Sequence, residues 1–269
     1  MKEAELPKKA IEIKRSIVKM ITRAKGGHLG ASLSEADILT ALFCNVMNFS
    51  PENAKDPLRD RFVLSKGHAA EGLYAVLADR GFFPSSWLDT YLTGDNPLTT
   101  HPTNKIPGIE VCTGSLGHGF SIAVGMALGS RKSGKHFRVF ILTGDGELQE
   151  GSNWEAAMAA SYYKLGNLVW IIDNNGLQLN SVIKDTMGIE PLEEKARAFG
   201  FNVHKAGGNN SAEIASLLNS LDYNGDVPHA VIAKTTKGSG VSFMENVAEW
   251  HHRIPNEEEC ERALKELES

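Results

Sequence analysis

The chain has 269 residues, a formal net charge of −5 and an apolar fraction of 42%. That length suits one large α/β unit with a single core, and the mild charge without any Lys/Arg block argues against a nucleic-acid footprint. Three cysteines (Cys44, Cys112 and Cys260) make no metal or disulfide pattern, which favours a reducing compartment over secretion.

The opening "MKEAELPKKAIEIKRSIVKMITRAKGG" is basic but has no continuous apolar core. Its Ile11, Ile17, Val18 and Ile21 recur as one helix face, predicting a helix over about 7–24 and not a signal peptide. No apolar stretch approaches the roughly 20 residues a membrane helix needs, so a soluble, cytoplasmic protein is expected. After "KGGHLGAS" a second helix is predicted over about 34–47, with Ser34 as N-cap and the acids Glu35 and Asp37 in its first turn. "RFVLSKGH" (61–68) reads as a short buried strand entering a loop, followed by the helical "AAEGLYAVLADRG". From 92 to 119 Gly, Pro and Thr predict loop, and "GFSIAVGMALGSRKSG" then reads as a small-residue helix.

Strands and helices alternate from there: "FRVFILT", "SNWEAAMAASYYKLG", "NLVWIID", "PLEEKARAFG", "FNVHKAG", "SAEIASLLNSL" and "PHAVIAKT", with a short charged helix at about 256–268. Apolar strands alternating with helices imply a parallel sheet buried on both faces, in one α/β domain spanning 1–269. Such sheets place ligands at the carboxyl ends of their strands. "SKGH", "TGDGELQEG", "DNNGLQLN" and "KTTKGSGVSFMENVAEWHH" are therefore expected to gather at one rim.

Within that set, Asp145 and Asn175 each follow a buried strand and lie 175 − 145 = 30 residues apart, the span of one helix and one strand. Neighbouring parallel strands would bring a carboxylate and an amide oxygen together, a hard-oxygen set suited to Mg²⁺ and a phosphate ligand. Gly144 and Gly146 let the backbone approach a bulky anion, and the helix after Gly151 would aim its N-terminus the same way. Taken singly, each motif is more often a turn; together they favour a metal–phosphate site.

Histidine in a Gly-rich loop can face a ligand, unlike the isolated His136, His204 and His229, for which a structural role is the default. His28 ("GGHLG"), His68 ("SKGHAAEG"), His101 ("TTHPTN"), His118 ("TGSLGHG") and the pair His251–His252 ("EWHH") are candidates.

"GDG" followed after 27 residues (147–173) by "NN" resembles the thiamine-diphosphate signature, and the flanking segments "GGHLGA", "LSKGHA" and "HP" resemble transketolase. The resemblance implies a three-layer, doubly wound parallel sheet of the thiamine-diphosphate-binding (diphosphate-domain) type. Asp145, the side-chain oxygen of Asn175 and the backbone carbonyl of Leu177 would hold Mg²⁺, or another divalent such as Ca²⁺ or Mn²⁺, on the cofactor's diphosphate. Backbone at Gly144 and Gly146 would meet a phosphate oxygen, and Gly114, Ser115 and Leu116 would border the cofactor. His68 would fix the diphosphate, while His28, His101 and His251 would contact sugar oxygens or shuttle protons, His251 lying close to the cofactor as well. Glu150 would join a carboxylate network linking paired sites across a subunit interface. Glu147 matches no position with a role and reads as a solvated acid near a helix N-terminus. The sequence departs from the family at Leu29, where proline is preferred, at His118, where glutamine is common, and at His252, where glycine is usual. The last leaves open which histidine of the pair takes the role given to His251.

The resemblance covers nearly the whole chain but only about the amino-terminal third to half of a full-length transketolase. The implied protein is one subunit of a split enzyme, completed by a separate C-terminal, pyrimidine-binding subunit in an α2β2 heterotetramer. Its activity would be transfer of a two-carbon ketol unit between phosphorylated sugars, as in pentose phosphate metabolism. Alternatives are the α-subunit of a 2-oxo acid dehydrogenase, a specialised biosynthetic enzyme using the same chemistry, and a non-catalytic regulatory subunit. A dinucleotide-binding domain is disfavoured because "GGHLGAS" lacks the Gly-x-Gly-x-x-Gly spacing and follows a helix.

Overall fold

The computed structural model describes residues 1–268, in which the apolar runs become β1 (Arg61–Leu64), β2 (Val139–Gly144), β3 (Leu168–Asn174), β4 (Leu177–Gln178), β5 (Ser181–Val182), β6 (Asn202–Gly207) and β7 (His229–Lys234). The pair β4–β5 is a small antiparallel hairpin. The other five form one parallel sheet in the order β1-β2-β3-β7-β6. The helices are α1 (Leu6–Ala24), α2 (Leu29–Ala41), α3 (Ala70–Asp79), α4 (Ser86–Asp89), α5 (Gly119–Lys132), α6 (Gly151–Tyr162), α7 (Ile183–Met187), α8 (Leu192–Ala198), α9 (Ser211–Asn219) and α10 (Glu257–Glu266).

Side chains leave a strand on alternate faces, and each face here has its own core. Phe62, Leu64, Phe140, Leu142, Val169, Ile171 and Val231 pack with α1, α2, α3 and α9. Val63, Val139, Ile141, Leu168, Trp170, Ile172 and Ala230 pack with α5, α6 and α8. Helices on both faces of a parallel sheet make the three layers the strand pattern implied. The strand β6 is less apolar than its companions: Asn202, Lys205 and Gly207 are exposed, as befits an edge. The chain runs from β3 out to that edge and returns through β7, so the strand order reverses beside β3. That is where open α/β sheets leave a crevice at their carboxyl ends.

Some expectations need correction. In α1 the buried stripe is Leu6, Ala10, Ile13, Ile17, Val18, Met20 and Ile21, whereas Ile11 is 39% exposed because it lies off that stripe. α2 starts at Leu29, not Ser34, and all thirteen residues are buried. Ser34 therefore sits inside the helix and caps nothing; its hydroxyl donates to Asp173 Oδ1 at 2.7 Å. Glu35 and Asp37 are not first-turn acids but buried acids facing lysines, with Asp37 2.8 Å from Lys14 Nζ. The hairpin β4–β5 and α7 follow Asn175 where only loop was expected. No described helix is long and apolar enough to cross a membrane.

Candidate active site

A cavity of about 380 Å³ opens at the carboxyl ends of the strands. The loop after β1 gives it Lys66 and His68, the loop after β2 Asp145 to Glu147 with Gln149 and Glu150, and the loop after β3 Asn175 with Leu177 to Leu179. The loop after β7 adds Lys237, His251 and His252, while His28 and Ala31 enter from α2 and Gly114 and Leu116 from the Gly-rich loop. The four segments expected at one rim do meet there.

At the centre Asp145 is 2% exposed. Its Oδ1 accepts the Gly146 N–H at 2.8 Å, and its Oδ2 accepts the Gly176 N–H at 2.6 Å and the Asn174 amide at 3.2 Å. The loop carrying Asn175 is thereby tied directly to Asp145. Asn175 Nδ2 donates to Ser34 Oγ at 3.2 Å and towards Asp173 Oδ2 at 3.5 Å. A carboxylate only accepts, so the amide nitrogen must face Asp173, and the amide oxygen turns away to accept the Leu177 N–H at 3.0 Å. Burial pushes the Asp145 carboxyl up to about 7 despite the N–H of Gly176 and Gly146. A divalent cation supplies the positive charge such a group lacks, and a carboxylate, an amide oxygen and a backbone carbonyl such as that of Leu177, which also lines the cavity, are the hard donors Mg²⁺ takes. The residues present fit that ion and a phosphate ligand.

The two flanking acids behave differently. Glu150 is exposed on the cavity wall. Glu147 is buried, not solvated: it accepts Ser65 Oγ at 2.5 Å, Gly117 N at 3.0 Å and Gly144 N at 3.1 Å. Burial raises its carboxyl pKa against those donors. It clasps the end of β2 to the loops after β1 and before α5, so its task is to hold the cavity wall.

The histidines cluster. His28 lies 5.4 Å from His68, 5.4 Å from His251 and 4.7 Å from His252, ring centre to ring centre. Burial, then the positive field of neighbouring histidines and of Lys237 and Lys66, lowers His28 to about 4. Burial and Lys237 lower His251 to about 3, and burial with Lys66 takes His68 well below the usual range. These rings are neutral near pH 7, able to donate and accept hydrogen bonds without adding charge. His101 stands behind Gly114 at 6.3 Å from His28. Gly114 has φ +134°, and a Cβ there would meet His101 Cδ2 at 2.4 Å, so only glycine lets the imidazole lie this close. Ser115 and His118 do not line the cavity; both are exposed, with Ser115 Oγ 3.4 Å from His118 Nδ1. His204 and His229 pair with each other 3.2 Å apart, outside the cavity, and His136 does not line it either.

Two lysines escaped the sequence reading. Lys66 Nζ bonds Asp173 at 2.5 Å and stands 3.2 Å from Glu35. Burial opposes its charge, but the two acids outweigh burial and hold it above its usual range. Lys237 Nζ meets His251 Nδ1 at 3.0 Å and Leu179 O at 3.4 Å, and burial then Lys66 lower it to about 8. Both lie in Gly-rich loops just after strands, "SKG" and "KTTKG", and that placement was the available signal.

Residues 7–267 match the family model described as transketolase, thiamine diphosphate binding domain. The chain belongs to the transketolase family. It is 49% identical to an apulose-4-phosphate transketolase subunit from Actinobacillus succinogenes, over 98% of this chain and 96% of that one. The 6-deoxy-6-sulfo-D-fructose transketolase subunit SqwG of Clostridium sp. is 38% identical, with 99% and 97% covered. Among solved structures, transketolase from Campylobacter jejuni superposes with a TM-score of 0.91 at 30% identity, covering 100% of this chain and 43% of that one. The fold is the family's thiamine-diphosphate-binding fold, and members of this family are transferases. Relative to such single-chain transketolases the protein spans less than half the length.

Proposed function

We propose that this chain is the diphosphate-binding subunit of a split transketolase, one domain over 1–269, which works with a separate pyrimidine-binding subunit. The observation that carries the reading is the convergence of the loops after β1, β2, β3 and β7 on one cavity, with Asp145 tied to the Asn175 loop at its floor. Asp145, the Asn175 amide oxygen and the Leu177 carbonyl would hold Mg²⁺, and through it the diphosphate, with His68 and the backbone of Gly114, Leu116 and Gly146 around the cofactor. Thiamine diphosphate, when bound, supplies the nucleophilic carbon for ketol transfer.

The rest falls to side chains of this protein. His28 and His251 would present neutral imidazoles to the hydroxyl and carbonyl oxygens of a sugar and pass protons between them, with His101 reaching the sugar from beside Gly114. Glu150, exposed in the single chain, would meet a second protein chain in an α2β2 assembly. The substrates would be phosphorylated sugars, with the apulose 4-phosphate named for the Actinobacillus relative the first to assay, and unpaired cysteines suit the cytoplasm.

The test is reconstitution. Purified alone, the chain should give no ketol transfer; with its companion, Mg²⁺ and thiamine diphosphate, turnover should appear. Full turnover by the isolated chain would refute the split arrangement, and failure of the reconstituted pair to bind thiamine diphosphate would refute the cofactor assignment.

A further inference from the structure

Three histidines of the cluster come close enough together to share an ion. His252 is exposed at the cavity mouth, while its neighbour His251 is buried and the His28 side chain is 12% exposed. Each of the three offers one ring nitrogen, and these atoms all lie within 4.8 Å of one another. The rings are steeply inclined, at 58° between His28 and His252, 73° between His28 and His251 and 84° between His251 and His252. Stacked rings would point their nitrogens the same way; inclined rings, here two neighbours of one loop and a third from the start of α2, can aim at a common point.

A second observation concerns what stands behind the cluster. His28 Nδ1 is buried with no hydrogen-bond partner, and it lies 4.0 Å from Oε1 of the fully buried Glu71. Glu71 is held in place by Tyr91 Oη at 2.8 Å, Ser32 Oγ at 2.9 Å and the His28 backbone N–H at 3.1 Å. A carboxylate behind an imidazole, ready to take the N–H on the side opposite the ligand, is how proteins orient metal-binding histidines and offset the ion's charge.

We propose that His28, His251 and His252 form a site for a borderline divalent transition ion, with Zn²⁺ as the reference case, separate from the oxygen site at Asp145 and Asn175. Imidazole nitrogen suits Zn²⁺, Ni²⁺ and Cu²⁺, whereas carboxylate and carbonyl oxygen suit Mg²⁺ and Ca²⁺, so the two sites sort ions by ligand chemistry. Tetrahedral zinc with nitrogen ligands near 2.1 Å needs them about 3.4 Å apart, so the widest separation must close by roughly 1.4 Å. The exposed His252 is the ring free to make that movement. Three histidines leave the fourth position for water, and an ion there would stand across the cavity mouth. The site shares His28 and His251 with the proposed sugar contacts, so an ion bound there would compete with the sugar; metal binding by the isolated chain is read without ketol transfer and would survive the failure of that reading.

The test uses the untagged, metal-stripped full chain with excess Mg²⁺ present to occupy the oxygen site. Co²⁺ is titrated in and read by the visible absorption of its tetrahedral complexes. We expect a single saturating equivalent that Zn²⁺ displaces, an affinity at least about 10-fold weaker in His252→Ala, and no change in Asp145→Asn. Absence of the absorption band, unaltered affinity in His252→Ala, or loss of binding in Asp145→Asn would each overturn the proposal. His252 is exposed, so its replacement should leave the fold intact, and the circular dichroism of the variant checks this.

Discussion

Replacing Glu147 by alanine should destabilise the protein severely, although its sequence context reads as a surface acid. The side chain is 3% exposed, and its two oxygens receive the backbone N–H of Gly117 and Gly144 and the hydroxyl of Ser65. A buried donor left without a partner costs about 1–3 kcal/mol, so two N–H groups cost about 2–6 kcal/mol together. The Ser65 hydroxyl can rotate and adds less. Glu147→Gln keeps one acceptor oxygen and should cost about 1–3 kcal/mol. Urea unfolding of the isolated chain measures both: the midpoints should fall in that order while the slope stays constant, since the buried surface is unchanged. An alanine variant within about 0.5 kcal/mol of the parent, the range of an ordinary surface substitution, would refute the reasoning.

Two further outcomes follow from the same geometry. His101→Ala in the reconstituted enzyme should depress turnover more than thiamine diphosphate affinity, because the ring lies behind Gly114 and makes no hydrogen bond to Asp145 or the Asn175 loop; unchanged steady-state kinetics would remove it from the site. One lysine, Lys66, serves two buried acids, so Glu35 keeps its proton: burial chiefly, with the Asp173 charge adding to it and Lys66 opposing, raises its pKa from 4.5 to about 8. Between those values the folded state holds a proton that the unfolded state has released, so this group makes stability fall as pH rises. Glu35→Gln should flatten that slope in thermal unfolding of the isolated chain between about pH 5 and pH 8. Parallel slopes for the parent and the variant would contradict it.

The sheet was legible because its strands are apolar on both faces and separated by helices, a pattern few other folds produce. The convergence of loops was legible for the same reason: strand direction alone fixes which ends carry the ligand. What was not legible came from long-range partners. Ser34 fits an N-cap until Asp173, from β3, claims its hydroxyl in the middle of a buried helix. Glu35 and Asp37 read as first-turn acids, and Glu147 as a solvated one, until Lys66, Lys14 and the backbone of Gly117 are brought to them. The hairpin after Asn175 is two residues per strand, too short to show period-two alternation. Sequence does not choose between His251 and His252, because adjacent histidines share one context; the structure gives them different surroundings, one buried against Lys237 and one exposed at the mouth.

Titration calorimetry of thiamine diphosphate into the reconstituted enzyme, in saturating Mg²⁺, compares the parent with Asp145→Ala and reaches the heart of the matter. Tight, Mg²⁺-dependent binding that vanishes in the variant is the result expected of a carboxylate that grips the ion carrying the diphosphate. Near-normal affinity in Asp145→Ala, or binding indifferent to Mg²⁺, would contradict it.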